Sequence, residues 1–422
     1  MRTRSTRHRA IAVIAGALTS ALVFAGCSFG GEIEPDLPPQ STAAFPDETD
    51  QQLTDAVTHA MGVTGSSGAI VGVWAPWSGS WVAGLGTQRP DGGGDVTADL
   101  VFRAGKVTRA MTCDVLFEVA AAGKVKLDDS VTQYVSGVPD LADVTLVQLC
   151  DGTSGIGSYA GQLYSSWITN PDRVWDPRYL ASFGLGQPRS GAPGASYRDS
   201  DAGYVLLGLA LQRATEMTAA DLIHTYVADP LGLDATSLGE LPAEGALKGG
   251  QSVKNAEGVL DCAAPVDLTT ASSSSGFTDA GAVTNIDDLG RYVQALAAGA
   301  LVQDDDRFGA PVAVAADGPS WYTADGGALH AGSLVGQYGK VPGYITAAFA
   351  DPESGLTVAV VLNNSAADAA VGEYLAWELA AIASKVPAAA GETAPEAGLP
   401  WTAEQYREAI AAAAVCTPPP AE

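Results

Sequence analysis

The chain has 422 residues, with 48 Asp and Glu against 22 Lys and Arg and a net charge of −26. Such an acidic chain lacks the clustered cations that phosphate neutralisation needs, which excludes nucleic acid as a partner; bare anionic lipid headgroups also repel it. Hydrophobic residues make up 47% and charged residues 17%, so global disorder is excluded as well. The four histidines are not spaced as metal ligands, and neither a metal nor another cofactor is expected.

At the start of the chain, Arg2, Arg4, Arg7 and Arg9 lead into an apolar run from Ala10 to Ala25. The run is short for a membrane span and suits a secretory signal. It ends Val23-Phe24-Ala25-Gly26-Cys27, which resembles a bacterial lipobox, where the cysteine is acylated and becomes the mature N-terminus. Phe24 departs from the Leu, Val or Ile usual at that position. Residues 1–26 are therefore read as a lipoprotein signal and Cys27 as the lipidation site. The expected location is extracytoplasmic, on the outer face of the bacterial cell membrane, with the membrane as a partner through the lipid. Loss of the signal would leave about 18 cations and a net charge of about −30, so attachment rests on acyl chains, more than one of them. Residues 27–48, rich in Gly, Pro and acids, read as a solvated tether. Export also changes the cysteine chemistry: Cys113, Cys150, Cys262 and Cys416 favour two disulfides, with three pairings open.

The globular part is read as residues 49–385. Thr49 to Gln52 has a capping-box pattern, followed by Leu53, Val57 and Met61 at helical spacing. Gly68 to Ala75 and Ser80 to Leu85 form a predicted hairpin around Pro76-Trp77-Ser78-Gly79. Trp74, Trp77 and Trp81 are expected to pack against the terminal helices. Residues 105 to about 235 read as mostly helical, and a helix follows Thr284-Asn285. Tyr344 to Ala350 and Leu356 to Leu362 make a second hairpin, and a helix runs from about Ala366 to Ser384. Strands at both ends with helices between predict an α+β fold. One antiparallel sheet is built from both termini and flanked by helices, with a mostly helical lobe inserted. Residues 386–422 read as a linker and a short helical extension opened by Thr402 and Gln405.

Phe102-Arg103-Ala104-Gly105 with its following helix, and Gly123-Lys124-Val125-Lys126-Leu127-Asp128-Asp129, resemble the serine β-lactamase-related family. Thr153-Ser154-Gly155, Pro193-Gly194, Gly203 to Gly208, Pro230-Leu231-Gly232-Leu233 and Pro342-Gly343 continue the resemblance in family order, over residues 50 to 385. It implies the fold of class C β-lactamases, D-alanyl-D-alanine carboxypeptidases and related esterases.

The same resemblance implies three reactive elements, and each is substituted. Where S-x-x-K would supply a serine nucleophile and a lysine one turn later, the chain has Lys106-Val107-Thr108-Arg109. A guanidinium stays protonated and is no general base, and Lys106 has no hydroxyl to acylate. Where Y-x-N or S-x-N would follow Pro193-Gly194, Asp199-Ser200-Asp201 stands. Where K-T-G or H-x-G would edge the site, Gln337-Tyr338-Gly339 stands, followed by Lys340. The fold would bring Asp199 and Asp201 opposite Lys106 and Arg109, as a self-neutralising structural network or a site for a zwitterion such as a peptide terminus. Ser154, Ser200, Tyr338 and Lys340 complete the expected pocket. His59 and His224 read as ordinary helix residues; His330 lies near the third element. Cysteine positions in related class A enzymes imply Cys113–Cys150, leaving Cys262–Cys416 to staple the C-terminal extension to the helical lobe.

Three functions follow. The first is a pseudoenzyme that binds a peptidoglycan fragment or an envelope protein. The second is an active serine hydrolase using Ser154 or Ser200, and the third a structural envelope protein. Fold alone does not choose among them.

Overall fold

The computed structural model describes residues 32–302, 307–395 and 398–416. The signal segment and Cys27 lie outside the described residues. Nine strands form one antiparallel sheet: β1 (Gly68–Ala75), β2 (Gly79–Arg89), β3 (Gly92–Asp95), β4 (Val312–Ala313), β5 (Tyr322–Asp325), β6 (Ala328–Ala331), β7 (Leu334–Val341), β8 (Tyr344–Ala350) and β9 (Thr357–Leu362). Their spatial order is β3-β2-β1-β9-β8-β7-β6-β5-β4, so the two ends of the chain meet where β1 pairs with β9, Ile70 opposite Val361.

The central strands are buried on both faces. Val71 and Val73, Val358 and Val360, and Ile345 and Phe349 face one apolar cluster; Ile70, Val361 and Ala348 face the other. Side chains alternate across a sheet, so strands covered twice carry unbroken apolar runs. On the first face lie α1 (Asp47–Thr64), from the N-terminal side, and two C-terminal helices. On the second lie α2 (Val107–Ala121) and, in the lobe beyond it, α3 (Ala160–Thr169) and α4 (Asp201–Thr215). The helix α5 (Ile286–Ala297), capped by the Asn285 side chain, packs here too, while α6 (Ala370–Ala383) and α7 (Ala403–Ala412) are the two C-terminal helices of the first face. Both expected hairpins form, as β1–β2 and β8–β9.

Three expectations need correction. The first helix starts at Asp47 behind Pro46, and Thr49 makes no side-chain cap. The supposed tether is packed from Glu32 onward: the Ile33 amide donates to Pro230 O at 2.7 Å, Glu32 and Glu34 pair with Arg291, and Phe45 is buried. Its prolines give an extended path along the domain, where its few apolar residues gain burial. The segment after 385 is likewise docked. The Trp77 indole donates to Val386 O at 3.1 Å, and the Trp401 indole to Trp377 O at 3.0 Å. Trp321, Trp377, Trp401 and Tyr406 meet edge-on or tilted, an aromatic contact set that outweighs the polar composition around it.

Both disulfides have the expected pairing, Cys113–Cys150 and Cys262–Cys416. The second attaches the C-terminus not to the helical lobe but to the hairpin of Gly250–Lys254 and Leu260–Asp267, beside the end of α1 at Gly65.

Candidate functional site

The short strand Phe102–Arg103 turns through Gly105, whose φ of +57° suits a residue without a side chain, directly into α2. Lys106 is the residue that opens the helix. Strand β7 crosses this point at Gly339, where a Cβ would lie 2.6 Å from Lys106 Cγ. Glycine there lets strand and helix approach closely, and a larger residue would push the Lys106 stem away.

Two cations in the first turn of a helix oppose its dipole, so they require compensation. Lys106 Nζ lies 2.6 Å from Asp199 Oδ2, and Arg109 Nη2 lies 2.7 Å from Asp199 Oδ1. The side chain of Arg109 is only 1% exposed, which makes an unpaired charge untenable, and its Nε donates to Asp279 Oδ1 at 2.7 Å. The guanidinium also stacks on Tyr204, 4.7 Å from the ring centre. Desolvation alone would raise the Asp199 carboxyl; Arg109 and then Lys106 outweigh it and hold the group well below the usual range. At Asp279 desolvation dominates over Arg109, pushing the carboxyl up to about 6. Arg109 itself is stabilised as a cation: the two carboxylates overcome its burial.

Asp201 does not join this cluster. Its carboxylate accepts the Tyr159 and Ala160 amides, at 2.6 and 2.9 Å, and so closes the N-terminus of α3, where free N–H groups favour an anion. Asp279, from the short helix Phe277–Ala280, takes the place expected for Asp201. No spacing marked it among 48 acids; the one signal was that Arg109, on an apolar helix, needs more than one acceptor.

Neither serine reaches the pocket. Ser200 caps α4, its hydroxyl donating to Gly157 O and accepting the Gly203 amide, both at 3.1 Å. Ser154 is buried and its Oγ accepts the Ile156 amide at 3.3 Å. His330 is half-buried edge-on to Phe308 with its imidazole pushed down to about 4 by desolvation, so it is neutral and also outside the pocket.

The pocket beside the ion cluster has a volume of about 430 Å³. Lys106, Arg109 and Asp199 form one side; Tyr164, Trp167, Tyr197, Tyr322, Tyr338 and Lys340 form much of the rest. Among the described residues its lining contains no Ser, Thr, Cys or His. Its tyrosines are poor nucleophiles. Burial raises the Tyr164 hydroxyl to about 12, and burial with nearby carboxylates raises Tyr197, Tyr322 and Tyr338 further. Gln337 spends its amide on Gly327 O at 3.2 Å and on the Tyr338 amide at 3.0 Å. Below the floor, Tyr322 donates to buried Glu373 on α6, whose carboxyl desolvation pushes up to about 8.

This sheet, with its helical lobe and a pocket at the start of α2, is the β-lactamase/transpeptidase fold. Solved structures with it include a D-stereospecific amidohydrolase from Streptomyces sp. (TM-score 0.65, 22% identity, 77% of this chain and 98% of that one). Another is a D-amino acid amidase from Ochrobactrum anthropi SV3 (TM-score 0.68, 18% identity, 80% and 99%). The Beta-lactamase family profile matches residues 53–381, and the chain belongs to that family. Penicillin-binding protein 4* of Bacillus subtilis is 26% identical over 170 residues, 36% of this chain and 37% of the relative. Esterase EstB of Burkholderia gladioli is 32% identical over 160 residues, 34% and 40%. The match thus spans about two-fifths of these relatives' own length.

Proposed function

We propose that the chain is an exported, lipid-anchored member of this family that binds a cell-wall-type ligand without acylating on it. The observation that carries this reading is the Lys106–Asp199–Arg109 cluster. It fills the family's nucleophile position with paired charges, beside a pocket whose lining has no hydroxyl of ordinary reactivity. Acyl transfer needs a nucleophile within reach of a base. Both candidate serines instead spend their hydroxyls on backbone groups, which disfavours the active-hydrolase reading. The pocket remains large enough for a small molecule. One neighbour of this fold is named a D-amino acid amidase and another a D-stereospecific amidohydrolase, which supports a peptide end as the ligand class. Anchoring rests on Cys27 and the signal before it.

Labelling tests the reading. A fluorescent penicillin and a fluorophosphonate should leave the purified exported chain unlabelled, while muropeptides raise its melting temperature. Labelling that one pocket substitution abolishes would refute it. Radiolabelled palmitate should enter the wild type and not Cys27→Ala.

A further inference from the structure

The C-terminal extension helps to build a second cavity, on the face of the sheet opposite α2. It has a volume of about 370 Å³ and lies among α1, α6 and α7. Its α7 wall and Lys385 fall beyond residues 53–381, the span matched to the family, so the family fold does not by itself define this site. Glu378 of α6 lines the cavity with a side chain only 2% exposed. Its Oε1 faces Arg407 Nη1 at 3.5 Å, a loose contact with a half-exposed guanidinium. Its Oε2 is buried and has no hydrogen-bond partner among the described residues. An unpaired buried carboxylate oxygen is costly, and a donor that reaches it removes the cost.

The charges around Glu378 come from every helix packed against it. From α1 come Asp55 and, near Arg407, His59, whose imidazole desolvation and then Arg407 lower. From α7 come Glu404 and Arg407, and Lys385 follows α6. With Glu378 ionised the cavity carries three carboxylates against two cations, so one added cation balances it. The net charge of −26 also draws cations rather than anions. Ala381, Ile382 and Ala403 supply the apolar part of the wall.

We propose that this cavity binds a small primary amine, whose ammonium donates to Glu378 Oε2 while its alkyl body lies along Ala381, Ile382 and Ala403. An ammonium brings both the opposite charge and the N–H donors that a buried carboxylate needs; a quaternary ammonium brings only the charge. The site is separate from the pocket beside Lys106 and independent of the function proposed for it. Burial pushes the Glu378 carboxyl up to about 7, Arg407 acting against this and Glu404 adding to it. The ammonium pairs with the ionised form, so binding weakens as pH falls through that value.

Calorimetry on the purified chain with n-butylammonium, n-butanol and butyltrimethylammonium tests the proposal. At pH 8 the primary ammonium should bind at least about tenfold more tightly than either other probe, since a charge-assisted hydrogen bond is worth roughly that factor. Its affinity should fall about tenfold from pH 8 to pH 6. Glu378→Gln should remove both the preference and the pH dependence. Asp368→Asn, in the pocket beside Lys106, should leave both intact, with circular dichroism checking that each variant folds. Ala403→Phe, which narrows the cavity from its half-exposed wall and leaves Glu378 in place, should weaken butylammonium binding as well. Equal binding of the three probes, no binding of any, a preference that survives Glu378→Gln and Ala403→Phe, or one that Asp368→Asn abolishes overturns the proposal.

Discussion

Arg109 is the residue around which the altered site is organised. It lies in a helix buried on nearly every side, and two carboxylates from distant parts of the chain meet it there. Arg109→Met would strand Asp199 and Asp279 beside an apolar side chain, and chemical denaturation should show a loss of about 3–5 kcal/mol. Lys106→Ser is milder, because Asp199 is half-exposed and keeps Arg109. It should still lose more stability than Lys124→Ser at an exposed position; equal losses would remove Lys106 from the structural network. Glu373 gives a pH signature. Its folded carboxyl titrates near 8, above an ordinary glutamate, so the folded chain holds the proton more tightly than the unfolded one. That contribution is full below about 4.5 and is lost as pH rises through 8. Asp279, Asp151 and Glu378 titrate in the same window, so the difference between two proteins is the readout. Melting temperature should fall less between pH 5 and 8 in Glu373→Gln than in the wild type.

At the scale of elements, the sheet was legible because its strands are written as apolar runs broken by turn residues, and the two hairpins fall where those breaks lie. The family resemblance brought Lys106, Asp199 and Gly339 to one place, since each sits at the end or edge of an element whose path the fold dictates. Asp201 and Asp279 were not legible. Which of two carboxylates two residues apart faces α2 depends on the loop entering α4, and on the free amides at the start of α3 that draw Asp201 away. The C-terminal extension misleads for a different reason: a polar, Ala- and Pro-rich segment is anchored by a few residues, Trp401, Tyr406 and Ile410. Trp401→Ala should cost about 3–5 kcal/mol by loss of core packing, and Cys262→Ser with Cys416→Ser about 2–5 kcal/mol. Denaturation of each, with limited proteolysis after residue 386, checks that the extension belongs to the domain.

For the whole molecule, the charge count acquires a location. Positive charge is scarce, yet Lys106, Arg109, Arg198 and Lys340 all line one pocket. All four are held by the protein's own acceptors, Lys340 by Ala367 O. The fold is that of the Beta-lactamase family: the buried helix, the glycine strand beside it, and the cavity they share. At the start of that helix Lys106 and Arg109 pair with Asp199, and Arg109 also with Asp279, and we propose that this cluster stands in place of a nucleophile and its base. The most direct test of that claim is the intact mass of the purified chain after prolonged incubation with benzylpenicillin and with a fluorophosphonate. An unchanged mass under both reagents is predicted; a stoichiometric adduct mapped to a residue of this pocket would contradict it.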